Sequence, residues 1–577
     1  MTTDSTTAGK EHRYMAADRT QPAADAELYR RAGWWREETF LDDLRRAVHN
    51  HPEKTALICC STGGKEPEKL TYAELARRVD RLAGALLELG VGRGDVVTLQ
   101  LPNSWQLVAL ALACARIGAV AGPVVPIMRR REVEFMIRLT ESPLYIGFAD
   151  YRGFSYADMI AEVAAAVPTL RHRVLVGFAG SPAAASAQED TDSRPAAVLD
   201  FDTFMIGRQW EAEHPAAELD TLEASPDDHA QVMFTSGTTG EPKGVVHSHN
   251  TLYAMNRAQA DVLALSSDIV TAMGSPTTHQ GGYTWNFLMP LLLGGTSVQL
   301  DAWHPEVMLE IMEREGVTFF MGAPTFLVDL TAAQRSAHRD LSCLAAFATG
   351  SAPVAPVVVE QAREVLGCRV YALWGMTENG CVTVTRPTDP ELRSAESDGT
   401  PIPGMEVRIA DRKSGLPVPP GTAGALQVRG ATQCLGYYRR PELYAASLSP
   451  DGWFDTGDLA RDDGYGGIRI AGRVKDVISR GGENIPVAEV EAALLRHPAI
   501  RDVAVVGYPD ERLGERACAV LIPEGTAPSL DDIKKHLDGL SMAKQYWPER
   551  VKVVDSLPKT PSGKIQKFHL RAELQSD

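Results

Sequence analysis

The sequence predicts an α/β protein: a large N-terminal domain of doubly wound α/β subdomains plus a small β-barrel, followed by a small α+β C-terminal domain. Three observations predict it. Helical patterns alternate with short β-branched runs through the first two-thirds of the chain, the alternation that layered parallel sheets produce. From about residue 399 the texture changes to short strands punctuated by Gly and Pro, "GTPIPGMEVRIA", "GALQVRG" and "GYYRR". After "IAGRVKDVISRGGENI" comes a compact mixed tail, which puts a domain boundary near Lys475 and divides the chain into 1–29, 30–474 and 475–577.

Each element has a local reason. The lead, residues 1–29, is polar and lacks the apolar core of a secretory signal, so it is expected to be disordered and the protein cytoplasmic. "TYAELARRVDRLAGALLELG" is an amphipathic helix capped by Thr71 and stopped at Gly90, and "DVVTLQLPN" is the strand after it. The longest apolar run, "LVALALACARIGAVAGPVVP", carries Arg116 and ends in Gly and Pro. It reads as a buried helix and a strand, because a membrane span needs about twenty apolar residues without such breaks. Residues 179–198 are small and polar, as an exposed excursion would be. In the tail the pattern gives a helix over 486–497, strands over 502–507 and 516–522, a helix over 529–538, then a strand and a final loop.

Bulk composition excludes some classes. The 577 residues are 44% hydrophobic and can form large cores. With 58 basic against 75 acidic residues the formal net charge is −17, which advertises no polyanion-binding surface and makes nucleic acid a poor partner. Eight cysteines show neither a dense disulfide framework nor paired C-x-x-C spacing, and read as reduced, mostly buried thiols.

One stretch asks for a ligand. In "QVMFTSGTTGEPKGVVHSHNTLYAMN", residues 231–256, Gly237, Gly240 and Gly244 stand among hydroxyls and one lysine. Glycines let backbone N–H groups close around an anion, so phosphate is the first guess. The Walker pattern fails here: Pro242 precedes Lys243, Gly244 stands where a Ser or Thr would hold metal, and "GVVH" reads as a strand. The order is therefore strand, loop, strand, and then a helix from about Ser248 with Leu252, Met255, Gln259 and Val262 on one face. Alone, such a loop is weak evidence, since mobile surface loops have the same composition.

Five further stretches change that: "GSAPVAP" at 350–356, "ALWGMTENG" at 372–380, "GWFDTGDLA" at 452–460, "GRVKDVISRGGENIP" at 472–486 and "LPKTPSGKIQK" at 557–567. With "FTSGTTGEPKG", in this order and spacing, they resemble the motif series of the AMP-forming adenylating superfamily, which includes acyl-CoA synthetases, stand-alone adenylation domains and luciferases. The resemblance runs from about residue 30 nearly to the end.

It implies roles for matching positions. Thr235, Ser236, Gly237, Thr238, Thr239, Gly240 and Lys243 would wrap the β- and γ-phosphates of ATP, with Lys243 neutralising charge. Glu378, with Thr238, would hold Mg²⁺, a carboxylate being the hard oxygen ligand this ion prefers. Gly350, Ser351, Ala352 and Pro353 would line one face of adenine. Trp374, followed by Gly375, Met376 and Thr377, would pack on the other; most relatives have Tyr at 374, and the indole keeps the stacking face. Asp458 would accept both ribose hydroxyls, with Arg473 assisting. Lys564 would bridge the substrate carboxylate and the α-phosphate during in-line attack. The C-terminal domain would be mobile, turning about Lys475 so that Gly481 and Gly482 offer bare backbone to the pantetheine arm of CoA.

The implied activity is an acid–thiol ligase that uses ATP, Mg²⁺ and CoA. An enzyme loading an acid onto the phosphopantetheine of a carrier protein in trans stays open beside it, because the texture of "YRRAGWWREETFLDDLRRA" suits both. A catalytically dead nucleotide-binding protein would have lost Lys564, Glu378 or Asp458, and all three are present. The acid pocket is expected around "GSPTTHQGGYTW", which lacks an acidic partner for an amino-acid ammonium. His279 would stand near the carboxylate gate. Gln280 replaces the Asn with which aryl-acid enzymes recognise an ortho-hydroxyl, Gly281 and Gly282 would leave room, and Tyr283, Trp285 and Phe326 are candidate apolar walls, plain core packing being their ordinary role. The expected substrate is a hydrophobic alicyclic, aromatic or medium-chain acid.

Overall fold

The computed structural model describes residues 25–178, 198–235, 242–351, 354, 356–480, 483–510, 512–560 and 563–576. The chain divides into two compact units, one comprising residues up to Met321 with Met376–Gly380 and Gly430–Ala446, the other Gly322–Gly375, Cys381–Arg429 and Ser447–Asp577.

In the first unit the alternation seen in the sequence becomes an eight-stranded sheet. Its order is Gly436–Tyr437, Lys243–Ser248, His229–Thr235, Val120–Pro123, Val96–Gln100, Leu144–Phe148, His172–Val176 and Val198–Asp200. The strands from His229–Thr235 onward pair in parallel, and the two at the other edge pair antiparallel. Helix Tyr72–Glu88 begins as the sequence predicts: the Thr71 hydroxyl accepts from the Glu74 N–H while the Glu74 carboxylate accepts from the Thr71 N–H. It packs with Trp105–Arg116, which is buried at every position but Gln106 and so reads as an apolar run. Arg116 is tolerated there because its guanidinium meets Asp80 at 2.9 Å and Asp220 at 2.7 Å and also pairs with Glu223. Both helices share one core with Leu99, Met255 and Tyr283. Each buried leucine contributes about 1.5–3 kcal/mol.

The lead expected to be disordered through residue 29 is ordered at its described end. Ala26–Arg31 is helical, and Tyr29 is buried edge-on against Trp35, whose indole N–H donates to the Ala431 carbonyl at 2.9 Å. Aromatic burial fixes a segment whose composition reads as polar; residues 1–24 lie outside the described set, as do 179–197 of the expected excursion.

In the second unit, Ala346–Thr349 pairs in parallel with Arg369–Met376. The Gly- and Pro-rich stretch where a barrel was expected is a four-stranded sheet, in the order Met405–Ala410, Gly424–Gly430, Phe454–Asp462, Ile468–Arg473. The tail follows its predicted order: helix Val487–Leu494, strands Ile500–Asp510 and Gly514–Pro523, helix Leu530–Gly539 and strand Arg550–Val553. One correction applies. The chain does not end in a loop, for Lys567–Ser576 is a helix whose Leu570 and Leu574 pack on Val506, Cys518 and Val520. All eight cysteines are free, and only Cys343 is exposed. No described helix is long and apolar enough to cross a membrane.

Candidate active site

The phosphate-loop reading starts from a hairpin. Thr235 stands opposite Lys243 in the antiparallel pair His229–Thr235 and Lys243–Ser248, so residues 236–241 connect two paired ends as the strand–loop–strand order requires. Ser236, Gly237, Thr238, Thr239 and Gly240 themselves lie outside the described residues. Ser248 caps the next helix, His249–Val262.

Lys243 and Glu378, distant in sequence, meet through one side chain. Tyr437 donates its phenolic hydrogen to Glu378 Oε1 at 2.9 Å, and the Lys243 ammonium lies 4.6 Å from the centroid of the same ring. The backbone around them is tied as well. The Cys434 N–H donates to the Glu378 carbonyl at 2.7 Å, and His247 Nε2 donates to the Thr377 carbonyl at 2.8 Å. Burial pushes the His247 imidazole down to about 4, so it is neutral at ordinary pH. Its Nδ1 contacts the Thr251 hydroxyl at 3.0 Å. Glu378 is 7% exposed. A single buried carboxylate suits Mg²⁺, which takes one or two protein oxygens and fills its remaining positions with water and phosphate, so the donor set fits that ion.

The second unit gathers another group. Asp458 receives the Trp374 indole N–H on Oδ2 and the Arg473 Nε–H on Oδ1, each at 2.9 Å. Arg473 stands opposite Asp458 in neighbouring strands, which explains that pair; the Trp374 contact spans 84 residues of sequence. Each carboxylate oxygen keeps a further lone pair for a hydroxyl donor. Tyr at 374 would offer no such N–H, so Trp374 brings a hydrogen bond as well as a ring face.

Lys564 lies in the field of the same group. Burial pushes its ammonium down to about 8, Arg473 adds to the fall, and Asp458 and Asp476 oppose it. The lysine is presented by a tight loop. Thr560 N–H donates to the Lys564 carbonyl at 2.8 Å, the Lys564 N–H donates to the Thr560 hydroxyl at 3.0 Å, and Gln566 N–H donates to the Pro558 carbonyl at 2.8 Å. Gly563 has φ of +82°, and a Cβ there would lie 2.3 Å from Thr325 Oγ1 and 3.3 Å from Ala323 Cβ. Only glycine allows both that conformation and that approach. Gly350 is similarly tight, its would-be Cβ 2.5 Å from Leu373 Cδ1, and Ser351 after it has φ of +72°, a strained conformation for a residue with a side chain. Ala352, Pro353, Gly481 and Gly482 lie outside the described residues; Lys475 falls in the turn Val474–Asp476.

The expected acid pocket divides. His279 caps the short helix Gln280–Tyr283, its Nδ1 accepting from the Gly281 N–H at 3.3 Å. A Cβ on Gly281 would meet Met273 Cε at 3.0 Å, His279 Nδ1 at 3.7 Å and Met321 Cε at 3.8 Å, so the place is already filled by the ends of side chains, chiefly a flexible methionine methyl. Gly282 does not leave room: a Cβ there would lie 2.2 Å from the Pro276 carbonyl oxygen, so backbone packing requires it. Tyr283 packs edge-on against Phe287 inside the main core, and Trp285 stacks on Phe319 at 5.3 Å; their ordinary role as core residues is the one seen. Phe326 is buried in the second unit. Tyr437 and His247 were missed in the sequence; "GYYRR" and "GVVHSH" carried them, read only as strand texture.

Known proteins resemble this chain over most of its length. The family pattern described as AMP-binding enzyme matches residues 44–438, and that of the AMP-binding enzyme C-terminal domain matches residues 489–564. The chain is 35% identical to triostin synthetase I of Streptomyces triostinicus, over 95% of this chain and 96% of that one. It is 32% identical to a medium-chain fatty-acid–CoA ligase of Escherichia coli (strain K12), over 95% and 92%. Among solved structures, the anthranilate CoA ligase AuaEII in complex with anthranoyl-AMP superposes with a TM-score of 0.80 at 26% identity, covering 93% of this chain and 97% of that one.

Proposed function

The chain belongs to the AMP-binding enzyme family, and from that premise we propose that it is an AMP-forming acid–thiol ligase acting on a hydrophobic carboxylic acid, with CoA as acceptor. The substrate carboxylate attacks the α-phosphorus of ATP, a P–O bond forms, and pyrophosphate leaves. The thiol then attacks the acyl carbonyl, a C–S bond forms, and AMP leaves. No protein nucleophile is required, since the carboxylate itself attacks.

One observation carries the reading: Trp374 and Arg473, distant in sequence, both donate to the Asp458 carboxylate, and Lys564 lies in its field. Asp458, held from two sides, accepts the ribose hydroxyls, and Trp374 offers its ring to adenine. Lys564 neutralises charge moving between carboxylate and α-phosphate. Lys243 binds the terminal phosphates, and Glu378 with Thr238 would hold Mg²⁺. When bound, that ion supplies charge neutralisation on the leaving pyrophosphate. The second step follows rotation of the C-terminal segment about Lys475, after which Gly481 and Gly482 receive the pantetheine arm.

The acid preference rests on the stretch "GSPTTHQGGYTW", which offers no carboxylate to an amino-acid ammonium. The test is pyrophosphate exchange with a panel of acids. Cyclohexanecarboxylate, benzoate or octanoate should support exchange far better than any amino acid or 2,3-dihydroxybenzoate, and the reverse order overturns the proposed substrate class. Transfer to a phosphopantetheinyl carrier with no transfer to CoA would overturn the acceptor.

A further inference from the structure

The geometry points to Tyr437 as a positioning residue that sets both the phosphate-binding lysine and the metal-binding glutamate, an inference that rests on the roles proposed for Lys243 and Glu378. Tyr437 is 2% exposed, on the short strand Gly436–Tyr437 that pairs antiparallel with Lys243–Ser248. Its two functional parts act on different partners. The hydroxyl donates to Glu378 Oε1 at 2.9 Å, and the ring face receives the Lys243 ammonium 4.6 Å from its centroid. A phenol that only needed to be satisfied on burial could donate to any carbonyl. This one is aimed at a carboxylate that is itself buried, where a charge-assisted bond is strongest.

The ring cannot shift without moving both partners. Its edge abuts Tyr444 at 5.6 Å between centroids, the Tyr444 hydroxyl is held by Gln433 Nε2 at 2.7 Å, and the Tyr438 N–H donates to the Gly244 carbonyl at 2.7 Å. The Cys434 N–H, three residues before Tyr437, fixes the Glu378 backbone. A lysine on a flexible four-carbon stem and a glutamate 135 positions later thus take their places from one rigid ring.

Two variants separate the two contacts. Tyr437→Phe keeps the ring face and removes the hydroxyl; Tyr437→Leu removes both. The measurements are metal-free ATP binding by calorimetry in EDTA, and half-saturation by Mn²⁺, followed by its electron paramagnetic resonance, in the presence of a non-hydrolysable ATP analogue. Tyr437→Phe should raise the Mn²⁺ half-saturation by about tenfold, the size expected for losing a hydrogen bond to a charged group. It should leave metal-free ATP binding within about twofold of the parent. Tyr437→Leu should show the same metal shift and weaken metal-free ATP binding by about three- to tenfold, as loss of a cation–π contact predicts. An unchanged Mn²⁺ half-saturation in Tyr437→Phe, or an equal loss of both bindings, overturns the inference. Should Tyr437→Leu fail to fold, the conservative Tyr437→Phe decides alone. A parent protein that binds no ATP contradicts the proposed function itself, a result distinct from a parent that binds both ligands and a variant that matches it.

Discussion

At Lys564 a lysine ordinarily protonated to pH 10.5 is pushed down to about 8. Adenylation that depends on its ammonium should therefore fall as pH rises through about 8, while Lys564→Arg, always charged, should lose that descending limb. Stability has the sign of a depressed base: between about 8 and 10.5 the unfolded chain holds a proton that the folded lysine has lost, so folding gains as pH rises through that window. Lys564→Ala should abolish pyrophosphate exchange and spare thioester formation from a supplied acyl-adenylate; equal loss of both would contradict its assignment to the first step. At Trp374 the distinguishing group is the indole N–H. Trp374→Phe keeps a ring face but strips a donor from Asp458, and should raise the KM for ATP by roughly tenfold with a smaller effect on kcat, the range for a hydrogen bond to a charged group. An unchanged KM would reduce the indole to a stacking surface. Lys564, Glu378 and Asp458 stand out in the sequence as candidates because each sits in a motif dense with unusual residues. Tyr437 and the Trp374–Asp458 bond do not, because such contacts join stretches that share no local pattern. Gly282 was misread for a related reason: the carbonyl that fills its place, Pro276, is close by in sequence, but composition does not tell a glycine that makes room for substrate from one that makes room for backbone.

Among the elements, the loop that carries Lys564 tests how docking serves catalysis. Gly563→Ala would force a side chain into φ of +82°, at a cost of roughly 1–2 kcal/mol, and against Thr325 Oγ1. Pyrophosphate exchange should fall by on the order of tenfold or more, with thioester formation from supplied acyl-adenylate less affected. Adding Thr325→Ala should recover part of the loss, and a Gly563→Ala protein as active as the parent would show that the loop need not dock as seen. Strands and helices with strict period or clear caps were legible, Tyr72–Glu88 with its Thr71 box being the plainest. The final helix, Lys567–Ser576, was not, because among its described side chains the sequence "KFHLRAELQS" buries only Leu570 and Leu574 deeply. Two long-range ion pairs help to hold it, Lys567 to Glu491 at 2.7 Å and Arg571 to Asp476 at 2.5 Å, and neither leaves a local trace in the sequence.

For the whole molecule, the alternation of helix and strand correctly announced layered α/β units and a small α+β tail, since periodicity reports which face of each element is buried. It could not tell an open four-stranded path from a barrel, which depends on pairings between distant strands. The proposed two-step cycle needs a change of backbone direction at Lys475. Lys475→Pro, which fixes φ near −65°, should damage thioester formation more than adenylation, and unchanged CoA turnover would put the hinge elsewhere. The chemistry itself leaves an atom-level record. With a carboxylic acid labelled at both oxygens with oxygen-18, together with ATP, Mg²⁺ and CoA, attack by the carboxylate on the α-phosphorus must leave one labelled oxygen in AMP. Mass spectrometry of the nucleotide should therefore find AMP heavier by one oxygen-18 and the pyrophosphate unlabelled, whereas ADP accompanied by labelled inorganic phosphate would contradict the AMP-forming reaction outright.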